Sequence, residues 1–204
     1  MPPPLPGRAD ADMDYSGHGS LPASGGGKNF SADRALGRTR AEHEIVSTWP
    51  PAWREIFAKT IRAPLLWTYL ELGRDLTGQG NPGRAKFLRD LISRLDLPRG
   101  SSAFWPVCLD SDAGAAPDGT AAISRADREI FYQGVQILRP LMVIFFGAEC
   151  ADSAVPELEN PGPFSFQFRN GALHVFFPPL ERLLANSAAA DLCADFLQHI
   201  LSEF

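Results

Sequence analysis

The sequence predicts an α/β domain three layers deep, with a mostly parallel central sheet held between helices. Two observations carry this prediction. From about residue 50 onward, short apolar stretches alternate with amphipathic ones of helical period. Leu141-Met142-Val143-Ile144-Phe145-Phe146 is apolar without a break, as suits a parallel strand covered on both faces. Strand, helix, strand, helix and strand in series then imply right-handed crossovers.

In chain order, Pro51-Ala52-Trp53-Arg54-Glu55-Ile56-Phe57-Ala58 reads as a short helix with proline in its first turn. Ala63 to Tyr69 reads as a strand, with Pro64 near its start where no ladder donor is needed. Asn81 and Pro82 open a second helix, whose apolar face is Phe87, Leu88, Leu91, Ile92 and Leu95. Leu97-Pro98-Arg99-Gly100 ends it. Ser102 to Val107 is expected as a strand, followed by a Gly/Ala/Asp loop over 110–122. Ser124 and Asp127 have capping-box spacing before a helix that buries Ile130, Phe131, Ile137 and Leu138, with Gly134 on the same face. After Leu141–Phe146, Gly147 ends the strand. Phe164 to Phe168 alternates, Asn170-Gly171 is a two-residue hairpin turn, and Leu173 to Phe177 returns. A last helix spans about 187–202.

The chain divides into an arm over residues 1–42 and an α/β domain over 43–204. The first 40 residues hold seven Gly and five Pro, with few large apolar side chains and no period. Such a stretch buries too little surface to offset its ordering entropy and is expected to be disordered. Its His18, in a glycine loop, is expected to be solvated. The net charge of −5 argues against coating nucleic acid by bulk electrostatics. Cys108, Cys150 and Cys193 are far apart, odd in number and set in apolar surroundings, so buried reduced thiols are expected. With no CxxC and four histidines, no metal site and no cofactor is expected. The apolar run Leu141–Phe146 is far short of the roughly 20 residues of a membrane span. Asp10, Asp12 and Asp14 speak against a presequence, and the cytoplasm is the expected compartment.

Ligands of such sheets bind beyond the carboxyl ends of the strands. The loop after the first strand runs from Leu70 to Arg84 and holds Glu71, Asp75, Gly78, Gly80 and Gly83. Either acid could activate a water. The glycines could let backbone approach a phosphate, although no Gly-Lys-Ser/Thr follows. A solvated polar loop leading to a capped helix accounts for the same residues. Phe104 and Trp105 could stack a base at the cleft, or pack in the core. Residues 74–99 carry six Arg/Lys against three acids, while residues 140–204 carry two Arg against eight acids. Arg84, Lys86 and Arg89 could follow a phosphate backbone, or form an ordinary solvated helix face. Glu149, Asp152, Glu157 and Glu159 are expected in a solvated loop.

Taken in order, these pieces resemble the uracil-DNA glycosylase superfamily over about residues 62–204. The resemblance rests on the Glu/Asp and Gly loop, the Gly-x-x-x-Phe-Leu helix and the strand ending in Trp105-Pro106-Val107-Cys108. It rests most on Leu138-Arg139-Pro140 through Gly147-Ala148, and then on the hairpin leading to Val175-Phe176-Phe177-Pro178-Pro179-Leu180. It implies a uracil-binding cleft in which an acid or Asn of the first loop handles water. Glu71 and Asp75 fall there. The family's aromatic after that loop is replaced by Gly80-Asn81-Pro82, and its base-reading Asn by Ala103-Phe104-Trp105. The charge-stabilising His of its late motif is replaced by Phe177. The cysteines of the iron–sulfur branches are missing. A phenylalanine cannot donate a hydrogen bond to a leaving base, and losing one such donor costs roughly 100–1,000-fold in rate. Losing the Asn removes base readout. His174 is the nearest other imidazole, but strand alternation puts it on the face opposite Val175 and Phe177.

The resemblance with these losses implies a non-catalytic glycosylase-fold protein. Its expected place is DNA replication or repair, as a DNA-binding or protein-interaction module. Phe104, Trp105, Phe177, Arg84, Lys86 and Arg89 would face the nucleic acid, and residues 1–40 would hold a replication or repair protein. The alternative is an active glycosylase with a rearranged site built on Glu71 or Asp75.

Overall fold

A computed structural model describes residues 39–109, 123–155, 162–186 and 188–203. The arm expected over 1–42 lies almost wholly outside them, as do the loop at 110–122 and the acids Glu157 and Glu159.

The first described element is a helix that begins inside the arm expected over residues 1–42. This helix, α1 (Arg40–Ser47), starts at a capping box: the Thr39 hydroxyl accepts from the Glu42 amide, and the Glu42 carboxylate accepts from the Thr39 amide. Next come α2 (Pro51–Lys59), β1 (Leu65–Tyr69), α3 (Leu72–Leu76) and α4 (Pro82–Arg94). The remainder are β2 (Ser102–Phe104), α5 (Arg125–Leu138), β3 (Met142–Phe146), α6 (Ala148–Ala154), β4 (Ser165–Arg169), β5 (Ala172–Phe177), α7 (Leu180–Leu184) and α8 (Ala189–Glu203).

The five strands form one sheet in the order β2-β1-β3-β5-β4. Every neighbouring pair is parallel except β4 with β5. That exception is the Asn-Gly hairpin: Asn170 and Gly171 have φ of 51° and 80°, as a tight primed turn requires. β2 is shorter than the expected Ser102–Val107. The Trp105 amide still donates to the Trp67 carbonyl, but Pro106 has no N–H and the chain leaves the sheet there.

Helices cover both faces, giving a three-layer α/β/α arrangement around a mixed, mostly parallel sheet. One face carries Leu66, Val143, Phe145 and Phe176 against α1, α2, α5 and α6. The other carries Trp67, Ile144, Phe146, Val175 and Phe177 against α4, α7 and α8. β1, β3 and β5 are buried at every position, which explains the unbroken apolar sequence of β3 and the mostly apolar sequences of β1 and β5, where Thr68 and His174 are the buried polar exceptions. Among the described residues, no helix is long and apolar enough to cross a membrane.

Candidate functional site

The carboxyl end of β1 and the first turn of α4 meet around Asp75, and Arg84 links them to α7. Tyr69, the last residue of β1, donates its hydroxyl to Asp75 Oδ2 at 2.7 Å. The Asn81 side chain caps α4 by accepting from the Gly83 and Arg84 amides, while its own amide donates to Asp75 Oδ1 at 3.1 Å. Arg84, one turn into that helix, grips the carboxylate with both arms of its fork: Nε to Oδ2 at 2.8 Å and Nη2 to Oδ1 at 2.7 Å. Its third nitrogen, Nη1, reaches Glu181 Oε1 in α7 at 3.2 Å. Burial works against the charged form of Asp75. Its hydrogen bonds from Arg84, Tyr69 and the Asn81 amide outweigh that and hold the carboxyl below the usual aspartate range. Burial and the bond to Asp75 push the Tyr69 phenol far above its ordinary value. The bond to Asp75 raises Arg84 further.

Four donors therefore occupy both oxygens of Asp75. A carboxylate so held is a poor proton acceptor, since its lone pairs are used and its basicity is lowered. What Asp75 does is tie the acidic loop, α4 and, through Arg84, α7 into one unit. Glu71 is different. It precedes α3 at the end of β1, half-buried, without capping that helix. Burial, and then the neighbouring charge of Glu181, raise its pKa. Of the two acids in the loop, Glu71 alone keeps the electronic character of a base.

The other expected site residues converge only in part. Asp75, Arg89 and Phe104 line one groove of about 550 Å3 together with Tyr69, Leu88 and Asn81. Arg84 is buried behind Asp75 with its side chain 12% exposed, so it presents little charge outward. Lys86 is exposed and paired with Asp90. Trp105 turns to the opposite face of the sheet from Phe104. It is fully buried among Trp49, Trp53 and Phe57, and its indole N–H donates to the Phe131 carbonyl. Phe177 is buried on the same face as Phe104, stacked on Phe146 and met edge-on by Phe164 and Phe196. The rings of Trp105 and Phe177, both expected to stack a base, are enclosed by protein. Lengths of sequence too short to show a period hid α3 and α7, and with them the positions of Tyr69 and Glu181 as partners of the acid loop.

Phe177 also answers whether a histidine at this place could be tolerated. Phe177→His would put an imidazole among three aromatic rings with no partner. We expect it to cost about 3 kcal/mol in urea denaturation without restoring a usable donor.

His174, as expected from alternation, faces away from Phe177. It packs on Phe145, with ring centroids 5.7 Å apart, and is 5% exposed. Burial, and then the charge of Arg169, lower its pKa from 6.5 to about 4. The folded pKa lies below the unfolded one, so the unfolded chain binds the extra proton between the two values. Stability from this group is full above about pH 6.5 and is lost as the pH falls through about 4. The expected loss is roughly 3 kcal/mol, and it should vanish from the pH–stability curve of His174→Phe.

Cys150 and Cys193 are buried, and burial raises both thiols, Cys193 to about 12. Neither is a nucleophile at neutral pH. Among the described residues, no group of His, Cys, Asp and Glu is arranged to hold a metal ion. The fold and site thus define a three-layer α/β/α domain with a carboxylate-centred tie at the carboxyl ends of its strands. Neither a protein-family model nor a curated protein matches the chain.

Proposed function

We propose that this protein is a degenerate member of the uracil-DNA glycosylase superfamily. In this reading it excises no base and acts in DNA replication or repair as an interaction module. The saturation of Asp75 by Tyr69, Asn81 and Arg84 carries the reading. The enclosure of Trp105 and Phe177 on opposite faces of the sheet, where a base-stacking cleft would need them together, adds to it.

The internal pairing of the basic helix favours protein contact over DNA contact. Arg84 is tied to Asp75, Lys86 to Asp90 and Arg94 to Asp191. Of the cations expected to face nucleic acid, Arg89 alone lines the groove without an ion pair among the described residues. Exposed Phe166 and Phe168 on the edge strand β4 offer apolar surface of the kind protein partners cover. Residues 1–40 are the proposed tether for a replication or repair protein.

Fluorescence anisotropy with single-stranded DNA tests the balance between the two kinds of contact. We expect a Kd no tighter than about 10⁻⁶ M at physiological salt and a log–log salt slope of about −1, reduced further in Arg89→Ala. A slope of −4 or steeper would show the paired cations opening to phosphate and would overturn the protein-contact preference. Co-purification of a replication or repair protein, lost on deleting residues 1–40, would bear out the tether. Its survival would remove that role from the arm.

The second reading is an active glycosylase with Glu71 as its base, favoured by the raised Glu71 carboxyl. It requires an abasic product from uracil-containing single-stranded DNA that disappears in Glu71→Gln.

A further inference from the structure

A second cavity lies at the opposite end of the sheet from Asp75. It is about 460 Å3, and its rim includes Leu141 and Ala172, at the amino ends of β3 and β5. Its wall is apolar, built largely from Phe131, Val143, Phe145 and Val155, all buried. The one histidine in that wall is His174. Its ring is almost completely covered, and its Nδ1 has no hydrogen-bond partner among the described residues. Buried polar groups are nearly always partnered, and an apolar side chain would line this wall without that penalty. A ligand that supplies the missing polar partner would account for a histidine here.

The charge around the cavity indicates the sign of that ligand. Arg139 lines the rim, its side chain 72% exposed and, among the described residues, in a long 3.6 Å contact with Glu42. Glu42 is itself taken by Arg62 at 2.7 Å. The rim thus presents one exposed guanidinium, that of Arg139, to an apolar, aromatic interior. A cavity of this size suits one or two rings.

We propose that this cavity is a binding site for a small aromatic acid. Its ring lies between Phe131, Phe145 and Val155, its polar substituent meets His174, and its anionic group meets Arg139. The site is independent of the carboxyl-end cleft and of the function proposed for it.

The test uses the full chain and 8-anilinonaphthalene-1-sulfonate, a fluorescent two-ring aromatic anion, with neutral N-phenyl-1-naphthylamine for comparison. We expect saturable binding of the sulfonate at one site. Arg139→Gln, an exposed change that leaves the core untouched, should weaken the sulfonate about tenfold and the neutral amine less than about twofold. His174→Phe should weaken both probes. Phe168→Ser, on the exposed edge strand, should change neither. Non-saturable binding, parental affinity in both Arg139→Gln and His174→Phe, or loss of binding in Phe168→Ser would each overturn the assignment.

Discussion

Arg84→Gln is expected to lower stability by about 1–3 kcal/mol, the cost of breaking a partly buried ion pair from one side. The two side chains are 12% and 11% exposed, so water screens the pair poorly. The substitution removes both arms of the fork and the link to Glu181, leaving Asp75 charged and partly desolvated. Tyr69 and the Asn81 amide still donate to Asp75, which keeps the loss toward the lower end of that range. The sign with pH follows from the depressed Asp75 carboxyl. Its contribution is full above the ordinary aspartate value of 3.8 and is lost as the pH falls through the lower folded value. Urea midpoints of the parent and Arg84→Gln should therefore differ widely at pH 7 and converge in strong acid. In a double-mutant cycle, Arg84→Gln with Asp75→Asn should cost well below the sum of the single changes. Additivity would mean that the contact contributes little.

Trp105→Ala should cost about 3–5 kcal/mol, since it empties a fully enclosed site and strips a donor from the Phe131 carbonyl. The indole sits among Trp49, Trp53 and Phe57 at centroid distances of 5.1–5.7 Å and has nowhere to move. Gly134 on α5 meets the same ring so closely that an added methyl would overlap indole atoms. Gly134→Ala should thus destabilise by roughly 1–3 kcal/mol despite alanine's better helix propensity. In a Trp105→Phe background the smaller ring makes room, and the penalty of Gly134→Ala should fall below about 1 kcal/mol. An unchanged penalty would show that the indole is not what Gly134 accommodates.

That packing shows what was legible in the sequence. Gly134 on the apolar face of a helix read correctly as a point of close approach. The Asn81-Pro82 cap, the Ser124 cap, the Asn170-Gly171 turn and the unbroken apolar strands also stand where residue chemistry put them. These features depend on local backbone preferences or on a period of several turns. The helices α3, α6 and α7 span five to seven residues, too few for a period to declare itself. α1 carried its capping box openly at Thr39 and Glu42, but the glycine-rich stretch before it drew the boundary too late.

The site was legible only in part. Acids and guanidinium groups near the end of β1 were visible. That Asp75 and Arg84 neutralise each other was not, because it depends on nine residues of chain folding back through α3 to the Asn81 cap. Trp105 and Phe177 were visible as aromatics near strand ends. Which face each occupies depends on where β2 leaves the sheet and on the register of β5, both tertiary facts.

The most direct measurement is single-turnover excision, with the protein in excess over a uracil-containing single-stranded oligonucleotide, followed by alkaline cleavage of any abasic site. On the proposed reading, a site whose aspartate is locked by Arg84 should yield no product above the protein-free control. Abasic product that appears with the parent chain and vanishes in Glu71→Gln would contradict the account and make this protein a glycosylase.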